Sequence, residues 1–120
     1  MNERLVSLCF TAGETGETLG ANFLYWYQSV ACTIVGMTCA PSVDDEDLTI
    51  DINDDGSAAV SAVDCSDQNV PGTWLSTDLG GTNDPVAVAA GSKMSLDANS
   101  AAANTRVHIV IWILVGETYA

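Results

Sequence analysis

Basic side chains are nearly absent. The chain holds 3 Lys and Arg against 16 Asp and Glu, a formal net charge of −13. Nucleic acids are bound by cationic groups that displace counterions from phosphate, so a nucleic-acid partner is not expected. An anionic membrane surface is disfavoured for the same reason. Long hydrophobic runs are also missing. The longest, Val107 to Val115, contains His108 and is too short to cross a bilayer as a helix. Met1-Asn2-Glu3-Arg4 lacks the basic start of an export signal, and the apolar stretch Leu5 to Phe10 is short and interrupted by Ser7. The expectation is a protein made in a cytoplasm and kept there until assembly.

Catalytic and metal motifs are absent too. There is one histidine, and none of Cys9, Cys32, Cys39 and Cys65 lies in a Cys-x-x-Cys spacing, so no zinc site is expected. Without an export signal the cysteines read as free thiols that pack as small hydrophobes. No Gly-x-Ser-x-Gly elbow and no His-Glu-x-x-His occurs. Gly13, Gly16 and Gly20 do not form a phosphate loop. Catalytic residues and cofactors are not expected, and the chain is not read as an enzyme.

What is present is alternation. In Leu48 to Asn53, Leu48, Ile50 and Ile52 alternate with Thr49, Asp51 and Asn53, the period of a strand with one buried face. Asp54-Asp55-Gly56 supplies turn chemistry. A three-residue loop would pair Ile52 with Ala58, Ile50 with Val60 and Leu48 with Ala62, all apolar. A two-residue loop would mix the faces, so the three-residue loop with a glycine bulge is expected. Asp51, Asn53, Asp55 and Gly56 also match the first half of a calcium loop. Ala62 stands where the closing carboxylate should be, so the reading is a structural turn, with Asp51, Asn53 and Asp55 as the only metal candidates.

The rest of the chain reads the same way. Leu5 to Phe10 suits a strand covered on both faces. Thr11 to Asn22 is a Gly-, Thr- and Glu-rich loop. In Phe23 to Tyr27, Phe23, Tyr25 and Tyr27 share one face while Leu24 and Trp26 share the other. Gly36 marks a bulge in a strand through Ile34, Val35 and Met37. Asp44 to Asp47 is a solvated acidic loop. The long polar connection from Asp64 to Asp84 needs a short strand around Trp74, with Trp74 and Leu75 anchored to the core. Val86 to Ala90 and Ser92 to Asp97 are short strands, with Met94 and Leu96 inward. In Arg106 to Val115, one face is apolar throughout and the other turns apolar from Val110 to Leu114.

These segments make an all-β chain of about eight antiparallel strands, a jelly-roll-like sandwich, with an immunoglobulin-like sandwich as the alternative. One domain is expected over residues 1–120, with 1–4 and 11–22 as candidate mobile segments. Tyr and Trp combine large area with a polar tip, so Tyr25, Trp26, Tyr27, Trp112 and Leu114 are the interface candidates. For Trp26 a core position is favoured over an interface.

The order of alternating strand, Asp-x-Asn-x-x-Gly hairpin, long polar loop, Val86-Ala87-Val88-Ala89-Ala90-Gly91-Ser92-Lys93, small-residue turn and long apolar last strand resembles small β-sandwich virion proteins of tailed bacteriophages. These are the capsid decoration (cement) proteins and the head-fibre or knob proteins. The resemblance runs from Phe23 to Gly116. It implies a jelly-roll-like trimer seated on the major capsid protein, found on the capsid surface and made in the host cytoplasm, without enzyme activity. The alternative function is a receptor- or glycan-binding module of a virion appendage.

Overall fold

The structure, a computed structural model, describes residues 3–13, 19–44, 48–76, 85–99 and 106–116. They form nine strands: β1 (Glu3–Ala12), β2 (Leu24–Gln28), β3 (Cys32–Pro41), β4 (Thr49–Asp54), β5 (Ser57–Asp64), β6 (Gly72–Leu75), β7 (Val86–Val88), β8 (Ser92–Asn99) and β9 (Val107–Gly116). Among the described residues there is no helix. Of the acidic loop only Asp44 is described, and most of the small-residue turn and the end of the long polar connection lie outside the described residues.

Two antiparallel sheets pack face to face. One runs β1-β9-β3-β6, with β7 also on β3; the other runs β2-β8-β4-β5. The β6 and β7 ladders occupy consecutive stretches of one edge of β3: Leu75 is opposite Gly36 and Val86 is opposite Ile34. They are one interrupted strand. Counted so, the paired strands β1·β9 and β3·β6/β7 fall in one sheet, and β2·β8 and β4·β5 in the other. That alternation of strand pairs between two sheets is the jelly-roll order.

Side-chain alternation builds the core between the sheets. Val107, Ile109, Ile111 and Ile113 of β9 meet Ile34 and Met37 of β3 on one side and Ile50, Ile52, Met94 and Leu96 on the other, all in one buried cluster. Burying each such side chain contributes about 1.5–3 kcal/mol. The inward partition expected for β8 and β9 is what the structure has. The short strand around Trp74 is β6, and the register of β3 shifts between Ile34 and Gly36 as a bulge at the glycine requires.

Four expectations are corrected. The Asp55-Gly56 turn has two residues, not three: Asp54 pairs with Ser57, and Asp55 (φ 48°) and Gly56 (φ 86°) both take the positive φ of a primed hairpin turn. The mixed faces that this loop implies are avoided by two register shifts, so that Ile52 meets Val60 and Ile50 meets Val63. Ala62 sits in the second shift at φ 56°, and its N–H donates to Asp51 Oδ1. Second, β1 includes Thr11 and Ala12 and is covered on one face only, leaving Leu5 59 % exposed. After it, Leu19 is buried and Gly20 O accepts the Ala98 N–H, while residues 14–18 lie outside the described residues.

Third, Leu75 is not a core anchor but lies on the outer face, 57 % exposed. Fourth, the cysteines are not all thiols. Cys39 of β3 and Cys65, just after β5, form a disulfide across 26 residues with Cα atoms 5.7 Å apart, joining the two sheets. Cys9 (exposed) and Cys32 (buried) are free.

Candidate functional site

The outer faces of the two sheets differ in chemistry. On the β1-β9-β3-β6 sheet, the register aligns outward side chains in rows across the strands. One row is Ser7, Trp112, Gly36 and Leu75; the next is Leu5, Leu114, Thr33 and Ala87. On the other side of Trp112 lies Cys9, Val110, Thr38 and Thr73, then Thr11, His108 and Ala40. From Leu5 to Thr11 on β1, and along all described outward positions of the other strands, none of these residues is Asp or Glu. In a chain with 16 acidic residues, this stretch of the face carries no carboxylate, and His108 Nδ1 lies 3.0 Å from Thr11 Oγ1.

Trp112 is the centre of the face. Its partner across the ladder is Gly36, and a Cβ there would lie 2.9 Å from Trp112 Cε3 and 3.2 Å from Leu75 Cδ2. The glycine therefore lets the indole lie against the β3 backbone. Leu5, Val35, Gly36, Leu75 and Trp112 line an apolar hollow of about 260 Å³. Trp112 and Leu114 are half-buried among the described residues. A surface of this kind excludes water well when a partner covers it.

The other interface candidates fall elsewhere. Trp26 turns inward, half-buried, with its ring centroid 5.2 Å from that of Phe10, and its Nε1 donates to Gln28 Oε1 at 3.1 Å. Tyr25 and Tyr27 point outward from β2, 59 % and 66 % exposed. They belong to the opposite sheet, so the five candidates do not form one surface. Sequence reasoning placed Trp112 and Leu114 on the outer side of β9 but missed Leu5, Val35, Gly36 and Leu75. Only the strand order brings those beside Trp112.

Asp51, Asn53 and Asp55 lie toward the tyrosine side, and each is engaged separately. Asp51 Oδ1 accepts the Ala62 N–H, Asn53 Nδ2 donates to Asp97 Oδ2 at 2.8 Å, and Asp55 Oδ1 accepts the Lys93 N–H at 2.8 Å. Among the described residues no three His, Cys, Asp or Glu side chains lie close enough to hold a metal ion. A groove of about 590 Å³ runs between β5 and β6 past Asp64, Asp67 and Trp74. Ser66, hydrogen-bonded to Asp64, holds that carboxyl below its ordinary pKa.

No family model matches the chain, and no curated protein matches it in sequence. Two solved structures resemble it. One is a chain of the cyanophage Pam1 capsid asymmetric unit, 18% identical, covering 96% of this chain and 84% of that one with a TM-score of 0.50. The other comes from the acidic stable capsid structure of Helicobacter pylori bacteriophage KHP30, 8% identical, covering 97% and 95% with a TM-score of 0.43. The first shares the fold.

Proposed function

We propose that this chain is a structural protein of a bacteriophage virion: a capsid decoration protein that sits on the major capsid protein as a homo-oligomer. The observation that carries the reading is the carboxylate-free face around Trp112. Copies carrying −13 each repel one another. Across the rows from Leu5 to Thr11, two copies can approach without setting carboxylate against carboxylate. The jelly-roll fold, shared with a chain of a phage capsid, supports the virion assignment. A trimer is the state that the resemblance to decoration proteins implies, and capsid surface is the corresponding location. No catalytic residue enters the reading.

Salt separates the two contacts. Self-association through an apolar face opposes charge repulsion, so added salt strengthens it. Docking of the acidic remainder on a basic shell patch weakens with salt. Light scattering of the full chain at tens of micromolar is expected to show an oligomer whose stability rises with salt, and Trp112→Ala is expected to shift it to monomer. The variant monomer should lose less than the roughly 3–5 kcal/mol typical of deleting a fully buried aromatic. A strict monomer at every salt concentration, without affinity for assembled capsid shells, would remove the assembly role.

A further inference from the structure

We propose that the outer face of the β2-β8-β4-β5 sheet binds a neutral saccharide in the hollow over Ser95. The register sets Tyr25, Ser95 and Asn53 in one row across β2, β8 and β4, and puts Tyr27 opposite Lys93. A hollow of about 360 Å³ on this face is lined by Asn22, Asp55, Gly56, Lys93 and Ser95, with Ser95 buried at its floor. That is near the lower end of small-ligand sites and suits one or two sugar rings.

The floor and walls are held in place. Asp55 and Lys93 exchange two hydrogen bonds: Asp55 N donates to Lys93 O at 2.9 Å, and Lys93 N donates to Asp55 Oδ1 at 2.8 Å. Asn22 takes φ 51°, and its N–H donates to Asp97 Oδ1 at 2.7 Å. Beside the hollow stand two large exposed rings. Tyr25 and Tyr27 meet edge to face, with centroids 6.4 Å apart, and Lys93 Nζ lies 5.1 Å from the Tyr25 centroid. Both rings keep more than half of their surface open to solvent, 59 % for Tyr25 and 66 % for Tyr27.

The chemistry around the hollow selects the ligand class. A pyranose ring has an apolar C–H face and a rim of hydroxyls. The tyrosine rings offer flat apolar area with a polar edge. Lys93 and Asn22 offer donors, and Asp55 and Asn22 offer acceptors, spaced around one small opening. Asp55 and Lys93 balance each other locally, while Asp51 and Asp97 lie on the same face. An anionic sugar would therefore meet no net attraction. This site is on the opposite sheet from Trp112 and stands or falls independently of the assembly role.

Amide NMR of the full-length protein, titrated separately with the methyl glycosides of glucose, galactose, mannose and N-acetylglucosamine, tests it. The expected result is saturable shifts at the Asp55, Lys93 and Ser95 amides with at least one of the four. Binding should weaken by at least about tenfold in Tyr25→Ala and in Lys93→Gln, and persist in Trp112→Ala. If Tyr25→Ala does not fold, Tyr27→Ala and Lys93→Gln carry the comparison. No saturable shift with any of the four sugars would overturn the proposal. So would binding confined to an anionic sugar, or affinity unchanged in folded variants of Tyr25 and Lys93.

Discussion

At the scale of single residues, the thiols are the sharpest probes of the fold. Cys9 stands on the outer side of β1 in water, Cys32 is buried, and Cys39 and Cys65 are joined. Burial, followed by the nearby Asp54 carboxylate, pushes the Cys32 thiol above its ordinary pKa, which keeps it from the reactive thiolate form. Alkylation of the folded monomer without reductant, in dilute solution, is therefore expected to label Cys9 quickly and Cys32 only after unfolding. Mass spectrometry should count two labels in denaturant and four after reduction. Four labels without reductant would show the Cys39–Cys65 bond to be absent in the isolated protein. In the chain-entropy model a crosslink closing a loop of this length contributes about 3–4 kcal/mol. Sequence alone could not reveal this pair, because the two cysteines meet only where the end of β3 crosses the end of β5.

At the scale of elements, the β4–β5 hairpin holds a conflict between its turn and its faces. Asp55-Gly56 favours a two-residue turn, and that register would point β5 the wrong way against Ile50 and Ile52. The chain keeps both, at the expense of regularity in β5, with Ala62 in a left-handed conformation that L-residues other than Gly, Asn and Asp seldom adopt. Ala62→Gly is expected to raise stability by up to about 1 kcal/mol, since relief of that conformation exceeds the added freedom of the unfolded chain. The same substitution at a regular strand position such as Ala98 should lower stability. Chemical denaturation of both variants checks the sign, and a loss at Ala62 would contradict the bulge. Strand identity was legible throughout, in the alternation of Met94 and Leu96 or of Ile109, Ile111 and Ile113. Register was not, because period two cannot count residues absorbed by a bulge. The neighbours of Trp112 were illegible for a related reason: Leu5, Gly36 and Leu75 reach it from three strands distant in sequence.

At the scale of the whole molecule, the sandwich has two unlike outer surfaces. The Trp112 side is carboxylate-free and apolar across the rows from Leu5 to Thr11, and the Tyr25 side is polar and acidic around one balanced hollow. The assembly role proposed above would use this asymmetry, with one side for neighbours and the other for solvent. The interrupted edge strand has a separate consequence. The chain leaves β3 at Leu75, opposite Gly36, and returns at Val86, opposite Ile34, so the ladder fixes both ends of the intervening segment and leaves its length open. Loop closure depends only logarithmically on length, and doubling the stretch 76–85 with a Gly/Ser peptide should cost about 0.6 kcal/mol, measured as a small shift in denaturant midpoint. A midpoint collapse would mean that the segment itself holds the edge together. With the small shift, the gap between β6 and β7 becomes a place to graft a foreign peptide, held at both ends by the β3 ladder.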